Sequence, residues 1–402
     1  MQRVAQLAEH SEAQDRLCRR YLTPEHQRAN ALVEEWMLAA GMHCHIDAAG
    51  NVVGRYEGLT PGQPALLIGS HLDTVRDAGP YDGMLGVLVG IECIDALNAA
   101  GERLPYALEV VGFGDEEGVR FQATLIGSSA IAGTFDQSLL NRVDSDGVTM
   151  AFALREFGLD PDLITTAARS REDIVGYVEV HIEQGPVLDN EDLPLGVVTA
   201  IAGASRFNVR IIGCAGHAGT VPMTHRRDAL AGAAEMILAV EQRAQRDGLV
   251  GTVGQIESAP GAVNVISGAS VFSLDIRSGD DATRTLAVQE ICAQFTEIAE
   301  RRGLQLELEQ THDAPACQCA PHLANALGAA LQRHQLSVRK LPSGAGHDAM
   351  AMAALTDVAM LFVRCEGGIS HHPDEQMTTA DADLATVVLL DFLKHHQAFL
   401  SA

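Results

Sequence analysis

The chain has 402 residues, 28 basic against 53 acidic, a formal charge of −25 with histidine neutral, and 47% apolar residues. At roughly 150 residues per domain this makes two to three domains with ample material for their cores. So negative a chain repels phosphate backbones and anionic lipid headgroups, which argues against nucleic-acid and membrane-surface roles and for a small molecule, a cation or another copy as partner.

The N-terminus MQRVAQLAEHSEAQDR lacks an apolar signal core, and no apolar run approaches the ~18 residues of a membrane span. The expectation is a soluble cytoplasmic protein. Eight scattered cysteines with no C-x-x-C spacing exclude a disulfide scaffold and a zinc knuckle; the one close pair, Cys317 and Cys319, reads as an inert loop or strand.

Residues 1–60 predict helices, since LTPEHQRANALVEEWMLAAG offers Thr23 as N-cap, Pro24 in the first turn and a closing Gly41. ALLIGS (65–70) then predicts a strand, MLGVLVGIECIDALNAA (84–100) a helix and YALEVVGF (106–113) a second strand. Such alternation implies an α/β layer with parallel strands. Residues 135–174 predict a mixed helical stretch, and VGYVEVHI (175–182) another strand. From about residue 205 the texture changes. SRFNVRII, a helix near 228–244, GTVGQIES, VFSLDIRS, a helix near 282–302 and LQLELE follow a β-α-β-β-α-β order, that of a ferredoxin-like α+β insert. After 318 come helix, loop, helix, the strand VAMLFVR (358–364), a loop and a last helix near 380–400. The predicted architecture is therefore a discontinuous α/β domain, residues 1–204 and 318–402, interrupted by a smaller domain, 205–317.

Residues able to do chemistry follow the apolar strands, where the carboxyl ends of an open α/β sheet form a crevice. His71-Leu72-Asp73 and Gly79-Pro80-Tyr81-Asp82-Gly83 follow the first strand, Asp115-Glu116-Glu117 the second, His181 to Gln184 close the third, and Ser370-His371-His372 follow the last. Imidazoles and carboxylates on several loops of one sheet edge suit a pair of divalent cations, which needs a carboxylate to bridge them. Asp82, between glycines, is the candidate bridge. Asp73 lies within reach of His71 to orient its ring. Adjacent Glu116 and Glu117 are not expected to face one point, so they divide into base and ligand.

GSHLDTV, YDGMLGV, DEEGVRF, HIEQGPVL, GCAGHAGTVPM, GAVNVI, LDIRS, GAGHDAM and GISHHPDE occur in this order. Together they resemble the M20 metallopeptidase clan, specifically its amidase branch of allantoate amidohydrolases, N-carbamoyl-L-amino-acid hydrolases, β-ureidopropionases and ureidoglycolate amidohydrolases. HIEQG marks the branch, because the clan's peptidases usually carry a carboxylate where His181 stands. The resemblance implies a di-metal catalytic domain with an inserted dimerisation and lid domain. It implies two divalent cations per subunit, Mn²⁺ or Zn²⁺: one on His71, Asp82 and His181, the other on Asp82, Glu117 and His371. Glu116 takes the position of the base and Asp73 that of a carboxylate behind the metal ligands. His217 resembles a histidine that reaches the substrate carbonyl, often from the partner subunit, which implies a homodimer. Asn264 and Arg277 resemble the substrate-binding pair, with Gln184 nearby. Two positions depart from the pattern: His372 stands where asparagine is common, so His371 is taken as the ligand, and Ser267 replaces a frequent proline.

The activity implied is hydrolysis of a carbamoyl or ureido C–N bond in a small anionic substrate. Allantoate leads, with N-carbamoyl-L-amino acids as the close alternative and 3-ureidopropionate or ureidoglycolate behind them. A planar guanidinium at Arg277 can take the substrate carboxylate bidentately; the competing reading is an ion pair with a neighbouring acid. A binding relative without turnover is the distant alternative, since fold does not fix function. Against it, the base, the five ligand positions and Arg277 are all filled by competent residues.

Overall fold

A computed structural model describes residues 1–395; the end of the last helix expected near residue 400 lies outside them. The chain divides into two compact units: Met1–Thr199 with Gln318–Leu341 and Ala345–Ala402, and Ala200–Cys317 with Pro342–Gly344.

Four parallel strands form the centre of the first unit, side by side in the order Ala107–Phe113, Ala65–His71, Ile174–Ile182 and Val358–Val363. All but one of their residues are buried, which is why they read as continuous apolar runs instead of alternating ones. The chain places its second parallel strand on one side of Ala65–His71 and its third on the other. This reversal opens a crevice at the carboxyl ends. An antiparallel Leu195–Ile201 flanks Val358–Val363. At that strand's end the Cys319 N–H donates to the Thr199 carbonyl (3.0 Å), so the chain leaves and re-enters this unit at neighbouring points.

Pro24–Ala39 forms the expected helix, and the hydroxyl of Thr23 accepts from His26 N (3.2 Å). Gln2–Ala8 is helical as well, but the helical expectation beyond Ala39 is corrected. His43–Ile46 and Val52–Tyr56 pair antiparallel and extend the sheet beyond Ala107–Phe113. Asp47 makes the turn by accepting from Ala49 N and Asn51 N, leaving β-branched Val52 and Val53 free to pack as a strand. The stretch 135–174 holds one α-helix, Met150–Phe157, and three short 3₁₀ turns.

The helix Met84–Ala100 is apolar nearly all round because it is buried against Ala65–His71, Ala107–Phe113 and Ile174–Ile182. Gly86 permits that contact, since a Cβ there would stand 2.2 Å from the Val180 carbonyl oxygen. Gly86→Ala should therefore cost about 1–3 kcal/mol of stability, more than the ~1 kcal/mol that alanine adds in helix propensity. A denaturant midpoint unchanged from the parent would contradict this packing.

In the second unit Gly203–Ile212, Ala269–Ser278 and Gln305–Ala314 carry the antiparallel sheet, with Ile256–Ala259 at its edge. GTVGQIES, expected as one strand, splits into Val250–Thr252 and Ile256–Ala259, both paired to Ala269–Ser278. Alternate residues Phe207, Val209, Ile211, Phe272, Leu274 and Ile276 bury against the helices Ala229–Ala244 and Asp281–Arg302. The β-α-β-β-α-β order and antiparallel pairing are those of the ferredoxin-like unit.

Candidate metal centre

The candidate residues of the first unit meet at the carboxyl ends of its parallel strands. His71 ends Ala65–His71 and His181 stands one residue from the end of Ile174–Ile182. Asp82 lies in the turn before Met84–Ala100, Glu116 and Glu117 follow Ala107–Phe113, and His371 lies beyond Val358–Val363.

Asp82 is the common member. Its Oδ1 has His181 Nε2 at 3.1 Å and His71 Nε2 at 3.5 Å, and its Oδ2 has His371 Nε2 at 3.2 Å. His371 Nε2 is also 3.4 Å from Glu117 Oε1. Two ligand sets thus share one carboxylate: His71, Asp82 and His181, and Asp82, Glu117 and His371, each with atoms within 4.8 Å of one another.

The far side of each buried ring fixes its tautomer. His71 Nδ1 is 3.0 Å from the Asp73 carbonyl oxygen and His181 Nδ1 is 2.9 Å from that of Ile182. A carbonyl only accepts, so each Nδ1 carries a proton, and Nε2 of each ring is the atom left to face Asp82 and to serve as a ligand. Asp82 Oδ1 is itself buried and accepts no hydrogen bond. Imidazole nitrogens gathered around an anionic oxygen make a donor set for a cation, and imidazole with carboxylate suits Zn²⁺ or Mn²⁺.

The titration of these groups reflects the same crowding. Burial raises Glu116, and Glu117, Asp348 and Asp73 add to it, so its carboxyl stands well above the usual range. Burial, with the charge of Asp82, pushes Glu117 up to about 7. Burial alone would raise Asp82 as well, but the rings of His181, His371 and His71 hold it well below the ordinary value. His71 moves the other way: burial would lower it, yet Asp82, Glu116 and Asp73 lift it well above.

The expectation that Glu116 and Glu117 cannot face one point is corrected. Glu116, Glu117 and His71 each present an atom within 4.8 Å of the others. Asp115, just before them, has a left-handed backbone (φ +61°). Asp73 then accepts Glu116 N at Oδ1 (3.0 Å) and Glu117 N at Oδ2 (3.2 Å), holding consecutive N–H groups on one carboxylate. The ring-orienting role expected of that carboxylate falls to the Asp73 carbonyl, while its Oδ1 stands 3.6 Å from His71 Nδ1.

Gln184 belongs to this centre, donating from Nε2 to Asp82 Oδ2 (2.8 Å) and Ser370 Oγ (3.3 Å). It and His371 are also left-handed, at φ +57° and +55°. Non-glycine residues held in that region cluster at functional sites, a signal no side-chain pattern carries. Of the two adjacent histidines His371 faces Asp82, whereas His372 is exposed and its Nδ1 accepts from Asp374 N (3.2 Å).

Several participants were not expected. Ser370 Oγ donates to Asp82 Oδ2 (2.7 Å). Glu179, fully buried, takes Ser70 Oγ, Tyr177 OH and Ala349 N beneath His181. Its position two residues before His181 on one strand puts both on the same face, a signal that was available. Asp348 of GAGHDAM is pushed up to about 8 by burial and by Glu179. Among the described residues no cysteine joins a metal-type cluster, and Cys317 forms a two-residue strand with Gln318.

His217, Asn264 and Arg277 lie in the second unit. Gly216–His217 pairs with Val265–Ile266, and Ala218 N donates to the Asn264 carbonyl (2.9 Å), which brings the first two together. His217 Nδ1 accepts from Gly219 N (3.0 Å), so its exposed Nε2 carries the proton and can donate. Arg277 is ion-paired: Nε and Nη2 donate to Asp275 (3.2 and 3.0 Å) and Nη1 to the Gly344 carbonyl (2.8 Å). It still lines a cavity of about 590 Å³ with Arg206, Asn208, Gln255 and Ser273. Ser267, in place of a proline, links strand ends through Ser258 Oγ (2.8 Å) and the Ala269 carbonyl (3.0 Å).

Residues 67–395 match the model of Peptidase family M20/M25/M40. An N-carbamoyl-L-amino-acid amidohydrolase of Pseudomonas sp. (strain NS671) is 41% identical, with 98% of this chain and 96% of that one covered. An allantoate deiminase of Arabidopsis thaliana is also 41% identical, covering 98% and 81%. Among solved structures, an amidase of the hydantoinase/carbamoylase family from Burkholderia multivorans matches with a TM-score of 0.91 at 32% identity, covering 97% of this chain and 95% of that one. Among the described residues no helix is long and apolar enough to cross a membrane.

Proposed function

The chain belongs to Peptidase family M20/M25/M40, in its hydantoinase/carbamoylase amidase branch, and is a metal-dependent amidohydrolase; from that premise we propose that it hydrolyses allantoate to ureidoglycine, ammonia and carbon dioxide. The observation that carries the chemistry is Asp82, one carboxylate with an oxygen toward each of two ligand sets. The second reading, an N-carbamoyl-L-amino-acid hydrolase, is favoured by the Pseudomonas relative, equal in identity and covered to 96% of its length against 81% for the plant enzyme.

Two divalent cations, Mn²⁺ or Zn²⁺, held by His71, Asp82 and His181 and by Asp82, Glu117 and His371, would polarise a carbonyl and bring a water pKa toward neutrality. Glu116, half-buried and with an oxygen near His71 of one set and Glu117 of the other, takes the proton from the attacking water and returns it to the leaving nitrogen. Asp73 keeps Glu116 in place through the backbone. His217, with its proton on Nε2, donates to the oxygen that gains charge, and we assign it to the partner subunit's site in a homodimer. Asn264 and Gln184 orient the polar ends of the substrate, and Arg277 takes its carboxylate with the donors that Asp275 and Gly344 leave over. The carbamate released falls apart to ammonia and carbon dioxide.

Arg277→Lys removes the fork and keeps the charge. Charge-assisted hydrogen bonds are worth about 1.5–3 kcal/mol, so KM should rise about 10- to 100-fold with kcat much less affected; an unchanged KM would leave Arg277 as Asp275's partner alone.

The substrate test is ammonia release with Mn²⁺ or Zn²⁺ present, from allantoate, N-carbamoyl-L-amino acids, 3-ureidopropionate and ureidoglycolate. The highest kcat/KM is expected on allantoate. A higher value on an N-carbamoyl amino acid, with the free amino acid as product, establishes the second reading. Binding without turnover across the panel would identify a non-catalytic relative.

A further inference from the structure

Glu375 lies outside both ligand sets, yet it touches the two loops that complete them. It is 2% exposed. Its Oε1 accepts from the backbone N–H groups of Tyr81 (2.8 Å) and Asp82 (3.1 Å), across 293 residues of sequence to the latter. Its Oε2 is 3.2 Å from Ser370 Oγ, the hydroxyl that donates to Asp82 Oδ2 at 2.7 Å and precedes His371. One carboxylate thereby holds the Asp82 main chain directly and lies beside the hydroxyl that holds the Asp82 side chain.

The turn carrying Asp82 is shaped to receive this group. Gly79 has no side chain where one would overlap Glu375: a Cβ there would stand 2.2 Å from Glu375 Cβ and 2.4 Å from Oε1. A closing hydrogen bond from Glu375 N to the His372 carbonyl (3.0 Å) sets the glutamate against the His371 loop.

We propose that Glu375 is a positioning residue of the metal centre, a brace that ties the Asp82 turn to the Ser370–His371 loop so that both oxygens of Asp82 keep their directions. The inference rests on the two-cation reading of Asp82. Its effect belongs to cation affinity. Groups that hold ligands in place are commonly worth 10- to 100-fold in metal affinity or activity.

Space and hydrogen bonding separate in two substitutions. Glu375→Met fills the same volume against Gly79 without acceptors. Glu375→Gln keeps an acceptor for the two N–H groups and a polar group beside Ser370 Oγ. Binding of Mn²⁺ and of Zn²⁺ to the full-length protein, measured by competition with a chromogenic chelator, should weaken about 10- to 100-fold in Glu375→Met and stay within about threefold of the parent in Glu375→Gln. Ser370→Ala should weaken it as well, by less. Unchanged affinity in Glu375→Met overturns the brace, as does an equal loss in Glu375→Gln; should Glu375→Met not fold, unchanged affinity in Ser370→Ala overturns it. The parent protein separates the two readings: failure to bind two cations defeats the two-cation centre itself, whereas two cations bound with no response to these substitutions defeats only the brace.

Discussion

Glu116→Gln is expected to lower kcat by about 10²- to 10⁴-fold, the usual worth of a positioned general acid–base group, while the protein still binds two cations. The structure separates these outcomes. The Glu116 main chain is held by Asp73 through its N–H, which the substitution leaves intact. The amide is nearly isosteric but cannot take a proton from water or return one to nitrogen. Cation content by elemental analysis and kcat from ammonia release are read on one preparation. Turnover within tenfold of the parent would move the base to another residue, with Glu117 next in line because its oxygen shares the same locus near His71.

Asp82→Ala is expected to do the opposite: cation content should fall below one per chain, and activity should fall at least about 10³-fold, given that groups outside the ligand sets alone are worth 10- to 100-fold. No other residue belongs to both sets. Without its carboxylate His71 and His181 keep their Nδ1 protons on carbonyl oxygens but lose the anion they face, and Gln184 and Ser370 lose their shared acceptor. Two cations still bound at parental affinity would show that the sets do not depend on a bridge. The two substitutions form a pair: one should keep the metals and lose the proton transfer, the other should lose the metals with the base still present.

The α/β layer was legible because its parallel strands are buried on both faces and its helix Met84–Ala100 is apolar, so pattern and packing agree. The same holds for the alternation in Gly203–Ile212 and Ala269–Ser278, where one face covers helices. The hairpin His43–Tyr56 was not legible, since strong cap signals around Pro24–Ala39 extended a helical reading past its end, and Val52-Val53 is a brief strand signal. In the site, histidines at strand ends stand out by position. Ser370 and Glu375 do not, because each works through partners far off in the chain, 288 residues from Ser370 to Asp82 and 293 from Glu375 to Asp82; Glu179 shows only by its place two residues before His181. Nor does residue type disclose that Asp115, Gln184 and His371 are left-handed; nothing local but the fold requires it.

The hydrogen bond between Cys319 N and the Thr199 carbonyl has a bearing on how such proteins diversify. Because Thr199 and Cys319 both belong to the first unit and are bonded to each other, residues 200–317 are a segment let in between two neighbouring points of that unit. The cation-ligand candidates lie in the first unit, whereas Arg277, Asn264 and His217, which we propose meet the substrate, lie in the second, so the two groups can change separately. A lineage built in this way can exchange what it recognises without relearning how to cut it.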